Sequence, residues 1–270
     1  MKQKMSLGKS VRMNRLVNEK SGNLLVIAMD HAVGWGVLPG IDRIKEAMEK
    51  IVAAGPDAIT MLKGTAERVF APYAGTIPFI LKCSTFAPYH PAYDAQVAQV
   101  DEAVRLGADA AALGCTLCGD HQAELLASLG AFTRAADLAG MPTVTHIYPK
   151  GQAVSEEDRY KEEHVKYAAR AAAELNVDIV KTFYTGDPDS YGRVIESCPS
   201  RIVVSGGPKL PSLEAVLKMT YDAMSVGAAG VTYGRNVWQA DDPAKVISAL
   251  KHIIHEKGTV KEALEIAEAD

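Results

Sequence analysis

Eight short apolar runs, each followed by a segment of helical spacing or a small-residue loop, predict an α/β protein built as a single (β/α)8 TIM barrel with a short N-terminal helical extension. Three observations carry that expectation. Strand and helix patterns alternate from residue 24 onward. Small turns in which Gly or Asn precedes Asp, Pro or Ala separate helix from next strand. A chain of 270 residues with 48% apolar content is long enough to close one such barrel and bury its core.

The elements follow in order. Residues 11–17 (Val-Arg-Met-Asn-Arg-Leu-Val) have the spacing of a short amphipathic helix, so 1–22 is read as an extension within one domain spanning 1–270. Strands are expected at 24–29, 58–62, 79–83, 109–114, 143–148, 178–183, 201–205 and 230–234. Helices are expected at 43–54, 96–106, 123–139, 157–175, 213–225 and 243–255, with shorter ones at 65–70 and 190–196. The turns Ala54-Gly-Pro-Asp57, Leu106-Gly-Ala-Asp109, Ala139-Gly-Met-Pro142, Leu175-Asn-Val-Asp178 and Val226-Gly-Ala-Ala229 suit helix C-terminal caps that turn into strands. A doubly wound sheet is the alternative, but no GxGxxG follows the first strand.

Charge and cysteine content narrow the function classes. With 29 basic against 33 acidic residues and a net charge of −4, nucleic acid is not the expected partner. No apolar run reaches the length of a membrane span, and the opening MKQKMSLGKS lacks the core of a signal peptide, so a cytoplasmic protein is expected. Cys115-Thr-Leu-Cys118 has the spacing of a redox or zinc pair, yet no second pair accompanies it; free thiols are expected.

In a barrel of this kind the active site lies at the C-terminal ends of the strands. Lys181 stands out there, because Asp178-Ile-Val-Lys-Thr-Phe183 puts a lysine inside an apolar strand. The stretch alone leaves two readings open. Either burial pushes the amine toward its neutral, nucleophilic form, suited to a Schiff base with a carbonyl substrate, or the stem is buried while the head snorkels out. Strand alternation sets Val144, His146 and Tyr148 on one face and Ile179, Lys181 and Phe183 on another, so Tyr148 and Lys181 share the mouth if both faces point inward. Tyr148 is suited to proton transfer at a substrate hydroxyl, and Asp30 to pairing with Lys181 or moving protons during imine formation. Ser205-Gly-Gly-Pro208 and Tyr233-Gly-Arg-Asn236, at the ends of the last two strands, offer Ser205, Gly206, Gly207, Gly234 and Arg235 as a phosphate cradle. Lys63 and Lys82 are read as mouth residues that lower the pKa of Lys181 or hold a second anion, or else as solvated strand-end lysines. Of the seven histidines, only His31 and His146 are expected at the mouth, too few for a zinc site; no metal or cofactor is expected.

Taken together, Met29-Asp-His31, Tyr148-Pro-Lys-Gly151, Asp178-Ile-Val-Lys181 with Tyr184-Thr-Gly-Asp-Pro188, Ser205-Gly-Gly-Pro-Lys209 and Gly234-Arg-Asn-Val-Trp-Gln239 resemble the archaeal-type class I fructose-bisphosphate aldolases. That superfamily also holds the 2-amino-3,7-dideoxy-D-threo-hept-6-ulosonate synthases and relatives of deoxyribose-phosphate aldolase. The resemblance implies Lys181 as the Schiff-base lysine, Tyr148 as the proton-transfer residue and Asp30 as its acidic partner. It also implies a phosphorylated sugar bound at the cradle and a homo-oligomer, commonly a decameric ring. His146 stands where the fructose-bisphosphate enzymes often carry Trp. Gly8-Lys-Ser-Val-Arg12 and Val260-Lys-Glu-Ala-Leu264 look like the heptulosonate branch, whereas Trp238-Gln239 looks like the fructose-bisphosphate branch. Three functions are open: an aldolase cleaving or forming a C–C bond in a phosphorylated ketose, a transferase using the same imine, and a non-catalytic sugar-phosphate-binding barrel.

Overall fold

Strand alternation is resolved inward and outward by a closed parallel barrel in the computed structural model, which describes residues 5–269. In chain order the strands are β1 (Leu24–Ala28), β2 (Ala58–Leu62), β3 (Phe79–Lys82), β4 (Ser84–Ala87), β5 (His90–Gln96), β6 (Ala110–Leu117), β7 (Thr143–Pro149), β8 (Ile179–Thr182), β9 (Arg201–Ser205) and β10 (Gly230–Tyr233). Eight of them close in the order β1-β10-β9-β8-β7-β6-β3-β2, all parallel, while β4 and β5 form a separate antiparallel pair. Among the described residues no helix is long and apolar enough to cross a membrane.

Two layers of core follow from the strand period of two. Leu24, Val26, Ala58, Ile80, Ala110, Ala112, Val144, Ile179 and Val203 pack inside the barrel. The opposite faces, such as Ile59, Met61, Leu113, Ile147 and Val180, pack outward against the helices. Met13 and Leu16 of the N-terminal helix Leu7–Leu16 join the inner cluster and fill its N-terminal end. That helix begins earlier than residue 11, because the Ser6 hydroxyl caps it by accepting from Lys9 N.

The aspartates expected as turn residues also pin neighbouring strands. Asp57 Oδ2 accepts from Leu25 N at 2.6 Å, and Asp178 Oδ2 accepts from Thr143 N at 2.8 Å. Asp109 Oδ2 accepts from Phe79 N at 3.4 Å.

The structure departs from the expected helix over 96–106. Residues up to Gln96 belong to β5, and only Val100–Arg105 is helical, started by a capping box between Gln99 and Glu102. The expected strand at 109–114 runs on to Leu117, because Gly114 sits inside the barrel and does not end the strand. Residues 157–161 form a short 3-10 turn, Asp158–Tyr160, before the helix Glu162–Glu174.

Candidate active site

Lys181 lies on the inner face of β8, one step above Ile179, with His146 of β7 beside it and Val203 of β9 across from it in register. It is 6% exposed and lines a cavity at the C-terminal mouth of the barrel. Desolvation brings its pKa down from 10.5 to about 8; the Asp30 carboxylate opposes that fall, and the Lys82 ammonium assists it. The second reading of this lysine, a head snorkelling to solvent, does not fit such burial.

The other inward-facing strand ends converge on the same cavity. Asp30, Lys82, His146, Tyr148, Ser205 and Arg235 all line it. Tyr148 Oη donates to Ser205 Oγ at 3.1 Å, and burial raises the phenol pKa, so at neutral pH the group is a proton carrier in its acid form. The His31 ring stacks edge-on against Trp238, with centroids 5.2 Å apart. Burial lowers its pKa to about 4, and burial likewise holds His146 well below 6.5. Both are therefore neutral imidazoles, and His31 Nδ1 and His146 Nε2 are buried without a hydrogen-bond partner among the described residues.

The anion cradle is braced by its own side chains. Arg235 Nη2 donates to Gly207 O at 2.8 Å. Asn236, not singled out from sequence, donates to Gly206 O at 2.7 Å and accepts from Leu210 N at 2.8 Å, so it fixes the loop after β9. Gly207 has φ +63°, a conformation that favours glycine, and a Cβ on Gly234 would press into the His31 ring.

Lys63 and Lys82 part company. Lys63 begins a helix outside the barrel and pairs with Glu102 at 2.7 Å, so it does not line the cavity. It follows Ile59 and Met61 on the outward parity of β2, a sign visible in the sequence. Lys82 shares inward parity with Ile80, but it is not a solvated lysine. Its Nζ donates to Ser84 O at 2.8 Å and Ser84 Oγ at 2.6 Å, and pairs with Asp94 at 3.1 Å; both charged side chains are nearly fully buried. Asp94 comes from the β4–β5 hairpin and enters the barrel against Gly114, where a Cβ would collide with its carboxyl. Thr116 Oγ1 donates to Ala92 O and anchors the same strand. Asp94, Ser84, Trp35 and Phe86 are cavity residues that sequence reasoning missed.

Lys150, Arg159 and Tyr160 also line the cavity, whereas the CxxC thiols and the histidines of the last long helix lie elsewhere. Cys115 faces the outer layer and Cys118 is half-buried; both are free thiols. His255 faces Asp57 at 3.1 Å and Ser21 at 2.8 Å, and His252 pairs with Glu256, in the helix Pro243–Glu256. Among the described residues no group of three or more His, Cys, Asp or Glu is arranged to hold a metal ion.

A buried amine brought near neutrality, a phenol, a carboxylate and an anion cradle around one cavity fit imine chemistry on a phosphorylated carbonyl compound. Residues 24–240, from the first residue of β1 to just beyond β10, match the DeoC/LacD family of aldolases. The chain belongs to that family. It is a Schiff-base-forming class I aldolase. This DeoC/LacD aldolase is 34% identical to an uncharacterized aldolase of Saccharolobus solfataricus over 96% of its own length and 99% of the relative's. It is 32% identical to the 2-amino-3,7-dideoxy-D-threo-hept-6-ulosonate synthase of Halobacterium salinarum, over 95% of each chain. Its barrel superimposes with a TM-score of 0.84 on an archaeal fructose-1,6-bisphosphate aldolase whose catalytic lysine is covalently bound to the carbinolamine of its substrate. That match has 28% identity and covers 92% of this chain and 99% of the other.

Proposed function

We propose that the chain is a class I aldolase of the fructose-1,6-bisphosphate type, cleaving or forming a C–C bond in a phosphorylated ketose with Lys181 as the imine-forming residue. The observation that carries this reading is the position of the Lys181 amine. It is buried, facing the cavity, with its pKa at about 8, and it shares that cavity with Tyr148, Asp30 and the Ser205–Gly207–Arg235 cradle.

The chemistry follows from these groups. With the 1-phosphate held at the cradle, the Lys181 amine attacks the C2 carbonyl and water leaves, giving an iminium ion. Asp30, beside the amine, moves the protons of that dehydration. The C4 hydroxyl gives its proton to Tyr148 as the C3–C4 electron pair flows onto the iminium, releasing an aldehyde and leaving an enamine. Because burial keeps Tyr148 a phenol, it accepts this proton only while passing its own to Ser205 Oγ, toward which it already points, as the Ser205 hydroxyl gives its proton to water at the cavity mouth; the same relay run in reverse supplies the proton that C3 then takes. Protonation at C3 and hydrolysis then free dihydroxyacetone phosphate and the amine.

Borohydride added with dihydroxyacetone phosphate is expected to fix the three-carbon unit on Lys181, seen as added mass on its peptide; an active preparation with Lys181 unlabelled rejects the assignment. Tyr148→Phe is expected to keep the trap but lose about 10²–10⁴-fold in kcat. A second reading has one specific support, the 32% identity to a heptulosonate synthase. There the same imine would hand its carbon unit to a different acceptor, which product analysis with and without added acceptor aldehydes separates. A barrel that only binds sugar phosphate would instead show no turnover and keep its affinity after Lys181→Ala.

A further inference from the structure

One buried network at the level of Lys181 has no role in the steps above. Gly114 of β6 is in register with His146 of β7, and His146 with Lys181 of β8, so the three positions share one inward layer of the barrel. Gly114 has no side chain to offer that layer. The carboxyl of Asp94, carried in by the β4–β5 hairpin, fills the space where its Cβ would stand. Asp94 therefore serves as an inward residue of β6 at the height of the imine-forming amine.

Within the network one hydrogen-bonding position is left open. Lys82 Nζ gives its protons to Ser84 O, Ser84 Oγ and Asp94 Oδ1, which uses all that an ammonium has. Ser84 Oγ also accepts from Gly114 N at 2.6 Å and donates to Asp94 Oδ1 at 2.9 Å. Both bonds to Asp94 thus end on Oδ1, and Oδ2 has no hydrogen-bond partner among the described residues. The side chain is 6% exposed, and it lines the cavity. A carboxylate oxygen so far from bulk water is costly unless a bound molecule supplies the donor. Lys82 already balances the charge, so the donor that fits is a neutral hydroxyl and not a cation.

Position says which hydroxyl. Around the barrel, β6 and β3 stand across from β10 and β9, whose ends carry the cradle. A ketose phosphate held at the cradle with C2 at Lys181 therefore extends C3 toward Asp94. The C4 oxygen belongs to Tyr148, which is in register with Thr116 and lies one inward layer nearer the mouth. Burial is the main influence on both reacting groups, and the Asp94 charge reaches both, acting to raise the pKa of Lys181 and of Tyr148. We infer that Asp94 Oδ2 accepts a hydrogen bond from the C3 hydroxyl of the ketose unit, which makes Asp94 the residue that selects a hydroxyketone phosphate over one with a methyl group at C3. Held there, the hydroxyl also fixes the geometry of the C2–C3 double bond in the enamine, and with it which of the two C3 hydrogens is exchanged. This inference rests on the proposed imine chemistry.

The test is deuterium uptake at C3 in heavy water, which reports enamine formation and reprotonation and needs no acceptor aldehyde. Dihydroxyacetone phosphate is compared with hydroxyacetone phosphate, whose C3 is a methyl group. The ratio of the two kcat/KM values is read on one preparation, so a partly folded variant does not distort it. The wild-type protein is expected to prefer dihydroxyacetone phosphate by about tenfold or more and to exchange one of its two C3 hydrogens. Lys82→Met combined with Asp94→Ala, which leaves no buried charge unpaired, is expected to cut the preference at least tenfold and to exchange both hydrogens. Loss of Lys82 alters the amine for both ketones alike and cancels in the ratio. Asp94→Asn, whose amide still meets the hydroxyl as a donor, is expected to retain part of the preference. The inference is overturned if the wild-type protein does not discriminate between the ketones, or if the variants slow both in proportion, which is what a purely structural network would do. Borohydride trapping of dihydroxyacetone phosphate on the wild-type protein separates this outcome from failure of the imine reading. No adduct on Lys181 removes the imine, whereas an adduct with an unchanged ratio in the variants removes only the role of Asp94.

Discussion

Lys181 destabilises the fold that holds it. Folded, it titrates near pH 8, whereas an unfolded lysine titrates near 10.4. Below pH 8 the amine is protonated in both states, and the folded state carries the whole cost of the buried ammonium, about 3 kcal/mol for a shift of this size. Between the two pKa values the unfolded chain binds more protons, so stability gained from deprotonation grows as pH rises. Lys181→Met is therefore expected to raise stability by about 1–3 kcal/mol at pH 7, with the gain shrinking toward pH 10, in urea titrations at the two pH values. The same pKa predicts that kcat/KM for the ketose climbs between pH 7 and 9 with an inflection near 8. A variant that is less stable at pH 7, or a flat profile through this window, would mean the amine is not held as described. Lys181, Tyr148 and Asp30 were legible from sequence because each is a polar residue at the end of an apolar run, on a parity the strand period settles, whereas Arg235, which begins the helix Arg235–Trp238 on the outward parity of Val231 and Tyr233, was legible only from the Gly-Arg turn that follows the last strand. His146 was legible as a position, but its neutral state was not, since burial from all sides sets it.

At the level of elements, the β4–β5 hairpin is the part the sequence concealed. Its strand His90–Gln96 carries Pro91 and alternates without a clear apolar face, and the next helix begins only a few residues later. What makes it a strand is long-range. Asp94 reaches into the barrel beside Gly114, and Ser84 Oγ accepts from Gly114 N at 2.6 Å. The hairpin thus brings one carboxylate to a lysine that the barrel alone would leave buried and unpaired. Removing one partner of such a pair is costly, whereas removing both is often nearly neutral. Asp94→Ala is expected to lose about 3–5 kcal/mol of stability. Adding Lys82→Met to it is expected to restore most of that loss, read from urea midpoints at constant slope. If the double variant is as unstable as the two single losses summed, the hairpin is held by packing and the charge pair is incidental.

Across the whole molecule, stability and chemistry are placed at opposite ends of the barrel. The alternation of strand and helix made the barrel itself legible, since each unit carries its own local signal. The plug at the bottom was legible only as a helix, because nothing in residues 7–16 says where its apolar side docks. In the structure Leu16 is fully buried and Met13 nearly so, beside Ala58, Ala110 and Ala112, whose small side chains leave the space that the helix fills. Lys9, 5% exposed, and Arg15 tie the same helix to Asp178 and Asp109, which precede β8 and β6. Leu16→Ala should then leave a cavity and cost about 3–5 kcal/mol, lowering Tm by roughly 5–10 °C for a chain of this size. Trp35→Ala, half-exposed at the mouth, should leave Tm within a few degrees, because it removes little buried area. Activity assayed well below either melting point should show the reverse order. Leu16→Ala is expected to keep kcat/KM within about threefold, because the inner layer of Val144, Ile179 and Val203 stands between the plug and Lys181. Loss of activity in Leu16→Ala without unfolding would mean that the plug sets the height of Lys181 in the barrel and that the two ends are coupled.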